Sequence, residues 1–391
     1  MTELERLPRD LDRFRLLERI ATGGMAEVYL ALERSALGGD RWVAIKRVRA
    51  DLCDQPEFIE YFVTEGRISL RCDHPNLPRA YHVGSAGGRP YLALEYIPGV
   101  SLLTLFRAAL RQRRPVGLAA AMAIGVAVAR ALGHLHQLTD VDGRSLDVIH
   151  RDVTPQNVLL TPDGRCVLID FGVARASLQT HRTQAGVVKG KYAYVAPEQL
   201  ERGRPVDQRV DLFSWGVLMH ELVVGEPLFH GHSDLDTCDR VQRQPIGDPT
   251  ARRPELPATI AEIVMTALAR DPDQRWAAGA VLADALEDAA LQAGLWPTAR
   301  ALAREVHAVV GGLRTPIYAG DTLAWRDCPA PPAAPPDDDD DDVTPVIETR
   351  GADGPWAQVA VDRDPQLGYF LTAGAVVDLW QGGDSTDVGA P

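Results

Sequence analysis

Two acids and an amide stand at spacings suited to handling a triphosphate. Asp152 and Asn157 lie in the run His150-Arg151-Asp152-Val153-Thr154-Pro155-Gln156-Asn157, and Asp170, followed by Phe171-Gly172, comes thirteen residues later. A carboxylate in a short loop can position a hydroxyl nucleophile or take its proton. An amide oxygen and a second carboxylate supply the hard ligands that Mg²⁺ takes on a nucleotide. The chemistry these residues suit is phosphoryl transfer, with Asp152 as base or positioning group and Asn157 and Asp170 as metal ligands.

Such a loop needs elements to hold it and the phosphates. Ile20-Ala21-Thr22-Gly23-Gly24-Met25-Ala26-Glu27-Val28-Tyr29 reads as a strand, a turn of small residues and a second strand. Small residues let backbone N–H groups approach phosphate oxygens. Val43-Ala44-Ile45-Lys46 is a β-type run, and a lysine within it requires an anion to offset its burial. Glu65, in the helical-looking Phe58–Leu70, is the candidate partner, with Glu60 the alternative. Tyr91–Gly99 is an apolar strand stopped by Pro98-Gly99.

Together these runs resemble the protein kinase superfamily, in the form of the bacterial serine/threonine kinases of eukaryotic type. The matching patterns are H-R-D-x-x-x-x-N followed by D-F-G, V-A-I-K, and a glycine-rich loop whose first and third glycines are here Ala21 and Ala26. Ala196-Pro197-Glu198 matches the family's A-P-E element. The resemblance covers residues 14–290 and implies an α+β, two-lobed fold. Its β-rich N-lobe with one main helix would span 14–95, the hinge 95–99, and a larger, mostly helical C-lobe 100–290.

The resemblance also implies roles. Lys46 would hold the α- and β-phosphates and pair with Glu65. ATP and Mg²⁺ (or Mn²⁺) would be the cofactors and proteins the substrates. Leu94 would be the gatekeeper, the backbone of Glu95 and Ile97 would meet the adenine, and Val28, Ala44 and Leu159 would sandwich it. Ile20, Ala21, Gly23, Gly24 and Ala26 complete the nucleotide site. Asp211 would cap the backbone of the catalytic loop, and Arg275 would pair with Glu198. An active serine/threonine kinase is the leading expectation, and an ATP-binding pseudokinase scaffold acting through its tail the alternative.

Two positions depart from the family pattern. Thr154 stands where serine/threonine kinases carry a lysine, and Lys191 follows Gly190 where they carry a threonine. Either the two types are exchanged across the γ-phosphate, or Lys191 points outward and tunes substrate choice. Arg151 is the residue that in the family pairs with a phosphorylated activation segment through its guanidinium fork. Thr180 or Thr183 is the hydroxyl expected to be autophosphorylated.

The chain of 391 residues carries a formal charge of −13. From Trp296 onward there are 16 acidic and 6 basic side chains, net −10, which leaves −3 to the rest and gives no case for nucleic-acid binding. Five scattered cysteines without Cys-x-x-Cys spacing fit reduced thiols. The longest apolar stretch, Val116–Ala129, is too short for a bilayer, so no membrane span and a cytoplasmic location are expected. Residues 291–326 read as a partly helical extension and 327–345 as a Pro/Asp-rich linker containing Asp337–Asp342. Those aspartates could meet a basic partner. The tail as a whole, 346–391 included, is expected to be acidic and largely disordered, with a short hairpin or docking segment around Trp356 and Tyr369–Leu371.

Overall fold

Alternation along one strand decides what faces the cleft. The computed structural model describes residues 7–35, 38–171, 191–201, 203–319, 322–330, 346–350, 356–364 and 368–371. The first sheet is built from β1 (Arg9–Leu11), β2 (Phe14–Thr22), β3 (Ala26–Glu33), β4 (Arg41–Val48), β5 (Ala80–Ala86) and β6 (Arg89–Glu95), in the order β1-β2-β3-β4-β6-β5. Every neighbouring pair is antiparallel. In β4, Val43 and Ile45 are fully buried with Phe14, Leu16, Tyr29, Tyr91 and Ala93 on one face. Period-two geometry turns Ala44 and Lys46 to the other face. The ladder sets Val28 opposite Lys46 and Leu94 opposite Ala44.

On the second face the sheet packs α1 (Pro56–Ser69), with Ala26, Val48, Phe62 and Leu92 forming the contact. Proline at the first turn and Glu57 beside it suit the start of this helix, and Arg67 suits its end. Its buried face carries Phe62, Glu65 and Ser69, so the glutamate points inward with the apolar residues.

The second lobe begins with β7 (Val100–Ser101) and α2 (Leu102–Arg111), capped by the Ser101 hydroxyl, which accepts from Thr104 N–H at 3.2 Å. Next come α3 (Leu118–His136), β8 (Val158–Leu160) and β9 (Cys166–Leu168), with sheet order β7-β8-β9. Short 3₁₀ turns at Lys191–Tyr194 and Pro197–Leu200 lead to α4 (Arg209–Val224), α5 (Asp234–Arg243), α6 (Ala258–Ala267) and α7 (Gly279–Gln292). The apolar run around Val116–Ala129 lies in α3, a helix of 19 residues whose central window is 78% buried. That burial makes it the core helix of this lobe. It crosses α7 at two glycines: a Cβ on Gly133 would stand 2.7 Å from Ala280 N, and one on Gly279 2.7 Å from Ala129 O.

The extension after α7 carries α8 (Ala299–Val309) and a hairpin, β10 (Arg314–Ala319) with β11 (Thr322–Asp327). Leu302, Val306 and Val309 of α8 are buried in the second-lobe core. Its first turn rests on Gly164, at φ +86°, where a Cβ would be 1.8 Å from Ala299 O. Residues 1–331 make one unit and 332–391 another. In the second unit β12 (Val346–Arg350), β13 (Trp356–Asp364) and β14 (Gly368–Leu371) pair as an antiparallel three-stranded sheet. Strands therefore stand at both places where a short hairpin was expected, while Asp337–Asp342 lie outside the described residues.

Candidate active site

The alternation in β4 and the inward face of α1 bring Lys46 and Glu65 together. Lys46 Nζ donates to Glu65 Oε1 at 2.6 Å and to Asp170 Oδ1 at 2.8 Å. Burial works against the lysine's charge, but the carboxylates of Asp170 and Glu65 outweigh it and hold its pKa above the usual value. Glu60 plays no part in this contact, so the choice between the two glutamates falls to Glu65.

The loop that carries Asp152 is held from beneath. Asp211, fully buried near the start of α4, accepts from His150 N–H at 2.8 Å and Arg151 N–H at 2.7 Å. His136 Nε2, at the end of α3, lies 2.9 Å from the same carboxylate. Burial would push the Asp211 carboxyl up, yet His136, His150 and the loop amides bring it below the usual range. Arg151 and Asp170 both have φ +60°, a region that costs a non-glycine residue about 1–3 kcal/mol. Both are strapped by neighbours, and His150 stacks edge-on against Phe171 at 5.7 Å.

Asn157 Nδ2 donates to Asp152 O at 2.9 Å, and Ile169 N–H donates to Asn157 O at 2.8 Å. The first bond uses the amide nitrogen and leaves Oδ1, the hard oxygen a divalent cation takes. With the half-exposed carboxylate of Asp170, the donor set fits Mg²⁺ or Mn²⁺. Thr154 is 4% exposed and its hydroxyl has no hydrogen-bond partner among the described residues. Lys191 opens a 3₁₀ turn, and its side chain lies outside the described residues, as do Gly190, Thr180 and Thr183.

In the expected nucleotide slot, Val28, Ala44, Leu94 and Leu159 are all half-buried. Ile20 and Ala21, at the end of β2, and Gly23 and Gly24, in the turn that follows, are exposed, and the turn is closed by Gly23 N–H to Ala26 O at 2.8 Å. Ala26 differs from them: its methyl is buried with Val48, Phe62 and Leu92. That contact gives the alanine a packing role at a family glycine position. The Glu95 side chain turns away from the slot and binds Arg165, at 3.0 Å through Oε2, and Arg165 Nε also donates to Pro75 O at 2.7 Å. Ile97 is 7% exposed.

Residues that sequence reasoning missed are His136, Arg165 and the pair Tyr194–Glu221. Tyr194 OH donates to Glu221 Oε2 at 2.5 Å, and Ser214 Oγ donates to Tyr194 O at 2.6 Å. Each depends on a partner 20 to 75 residues away, beyond any local signal. The expected pair Arg275–Glu198 forms as a buried two-pronged bridge at 2.7 and 2.8 Å.

A model of the protein kinase domain matches residues 14–286. The chain belongs to the protein kinase family. It is 38% identical over 272 residues to the tyrosine-protein kinase MasK of Myxococcus xanthus, covering 70% of this chain and 42% of that protein. It is 34% identical over 271 residues to the serine/threonine-protein kinase PknB of Mycolicibacterium smegmatis, covering 68% and 41%. With the serine/threonine-protein kinase PknA of Mycobacterium tuberculosis the identity is 33% over 296 residues, covering 73% and 62%. The chain thus spans about two fifths of MasK and PknB and 62% of PknA. Among solved structures, the kinase domain of Mycobacterium tuberculosis PknI matches with a TM-score of 0.52 at 26% identity, covering 72% of this chain and 98% of that one.

Proposed function

We propose that the chain transfers the γ-phosphate of ATP to serine or threonine hydroxyls of proteins, and to its own activation segment, in cytoplasmic signalling. The observation that carries this reading is the Lys46 ammonium held within 2.8 Å of both Glu65 and Asp170. A lysine so placed is ready to neutralise phosphate oxygens, and phosphoryl transfer is driven by such positioning and charge. Mg²⁺, when bound, supplies charge at the transferring phosphate, with Asn157 Oδ1 and Asp170 as its protein ligands. Asp152 orients the acceptor hydroxyl and takes its proton. The turn Thr22–Met25 covers the phosphates, and the slot of Val28, Ala44, Leu94 and Leu159 receives the adenine. A complete set of groups favours an enzyme over an ATP-binding scaffold.

Arg151 Nε is buried and without a partner among the described residues. That supports a phosphorylated Thr180 or Thr183 as its occupant. Tyrosine is the second reading for the acceptor, favoured by the 38% identity to a protein named as a tyrosine kinase and by Thr154 in place of lysine. For Asp337–Asp342 we propose a basic partner.

The test is radiolabelled ATP with Mg²⁺ on the full chain and on Asp152→Asn, followed by phosphoamino-acid analysis. The variant is expected to lose about 10²–10⁴ in rate, with label on serine or threonine. Equal labelling of parent and variant would rule out catalysis by this loop, and label on tyrosine alone would transfer the assignment to the second reading.

A further inference from the structure

Residues 96–139 contain five arginines and no acid. Four of them, Arg107, Arg111, Arg113 and Arg114, gather on α2 and the turn that follows. Arg107 and Arg111 are four residues apart, on one helix face, and all four are exposed. Among the described residues Arg107, Arg111 and Arg113 have no carboxylate partner. The helix end favours one cation, which Arg111 in the last turn already supplies. The others are surplus to that need.

The turn is built to present them. Arg113 has φ +52°. Arg113 N–H bonds Leu110 O and Arg114 N–H bonds Ala109 O, both at 3.1 Å, closing the helix in a way that normally selects glycine. The chain keeps an arginine at that place. Helix α8 braces the turn from beneath: Glu305 Oε2 accepts from Arg114 at 2.9 Å, its Oε1 accepts from Gly117 N–H at 3.1 Å, and Gln112 Nε2 donates to Val309 O at 2.7 Å. Arg304, exposed on α8, is the sequence neighbour of the bracing Glu305. At its other end α2 is tied to the catalytic loop, through Leu103 N–H to Pro155 O at 2.9 Å. Ten residues of helix span about 15 Å.

We propose that this arginine surface docks an acidic, Asp/Glu-rich segment of the protein to be phosphorylated, holding it beside the catalytic loop. The proposal rests on the kinase reading and names a class of substrate for it. Guanidinium forks match carboxylates in pairs, and a turn fixed in advance loses little freedom on binding. A short peptide feels the local field, which reaches about 8 Å at physiological salt. DNA or an anionic membrane would also meet the net −3 of residues 1–295. The one large apolar side chain fully exposed on α2 is Leu110, and the helix's aromatic, Phe106, is partly buried against the second-lobe core, not laid open for a base to stack on.

The experiment uses the full chain and Arg107→Gln/Arg111→Gln/Arg113→Gln, whose exposed side chains make no hydrogen bond or ion pair among the described residues. Fluorescence anisotropy reads binding of a labelled peptide with six consecutive aspartates. Kinetics then compare a serine/threonine peptide with and without that run attached. The expected result is a Kd at least tenfold weaker in the variant, a KM at least fivefold lower for the tagged peptide with the parent only, and an unchanged kcat on the untagged one. Equal binding by parent and variant would overturn the proposal. So would tighter binding of single-stranded DNA or phosphatidylglycerol vesicles than of the peptide. Binding that emerges only once residues 332–391 are removed would assign the surface to the chain's own aspartates and also overturn it. Because anisotropy needs no turnover, binding through these arginines without any phosphate transfer would reject the kinase reading and the substrate role while leaving a basic surface that docks acidic segments.

Discussion

At the scale of single residues, two buried carboxylates in α4 do different work. Asp211 holds two backbone N–H groups of the catalytic loop and His136 from full burial. Asp211→Ala leaves those donors unpaired, at about 1–3 kcal/mol each. It is expected to lower stability by roughly 3–5 kcal/mol in chemical denaturation and to cut kcat more than KM, since the loop carrying Asp152 loses its support. A variant melting with the parent would remove Asp211 from that role. Glu221 sits under Tyr194. Burial pushes its carboxyl up, the Tyr194 hydroxyl and Leu228 N–H pull it partly back, and it rests at about 7. Its ordinary value is 4.5, so between these values the folded chain binds the extra proton. Stability contributed by this group is fully present below the ordinary value, falls as pH rises towards 7, and is level above it, a loss of about 3 kcal/mol. Glu221→Gln keeps the bond from Leu228 N–H through its amide oxygen, holds Tyr194 by donating its amide N–H to the hydroxyl oxygen, and removes the ionisation. It is expected to raise the melting temperature at pH 8 while leaving it near the parent's at pH 4.5. Parallel pH profiles for the two proteins would refute this.

At the scale of elements, the close approach of α3 and α7 depends on Gly133, where a Cβ would lie 2.7 Å from a backbone nitrogen. Backbone cannot yield as a flexible side chain does, so Gly133→Ala is expected to cost about 1–3 kcal/mol, read as a lower midpoint in urea. An unchanged midpoint would mean that the helices separate without loss. The same elements explain what the sequence made legible. Lys46, Asp152, Asn157 and Asp170 stand in contiguous runs, and β4 alternates cleanly, so their side of the cleft follows from period two. Glu65 was harder, because a helix face alone does not choose between it and Glu60. Ala26 read as a loop residue because its packing against Phe62 crosses 36 positions of sequence. The hairpin β10–β11 was hidden by Pro316 inside β10, since proline usually argues against a strand.

At the scale of the whole molecule, the family match ends at residue 286, but the folding unit does not. Helix α8 buries Leu302, Val306 and Val309 in the second-lobe core, and Glu305 braces the turn between α2 and α3. Burying three such aliphatic side chains is worth on the order of 5 kcal/mol before ordering entropy. That is comparable with the whole stability of a domain, about 5–15 kcal/mol. A chain ended after Gln292 would leave that apolar floor open and free the turn that carries Arg113. It is expected to melt at least 5 °C below the parent and to aggregate on heating, whereas a chain ended after Ala330 keeps α8 and melts with the parent. Glu305→Ala in the full chain separates the two contributions: it breaks the brace, keeps the apolar contact, and is expected to give a smaller drop of about 1–3 kcal/mol. A chain ended after Gln292 that melts with the parent would restore the family boundary as the true one and make α8 a passenger.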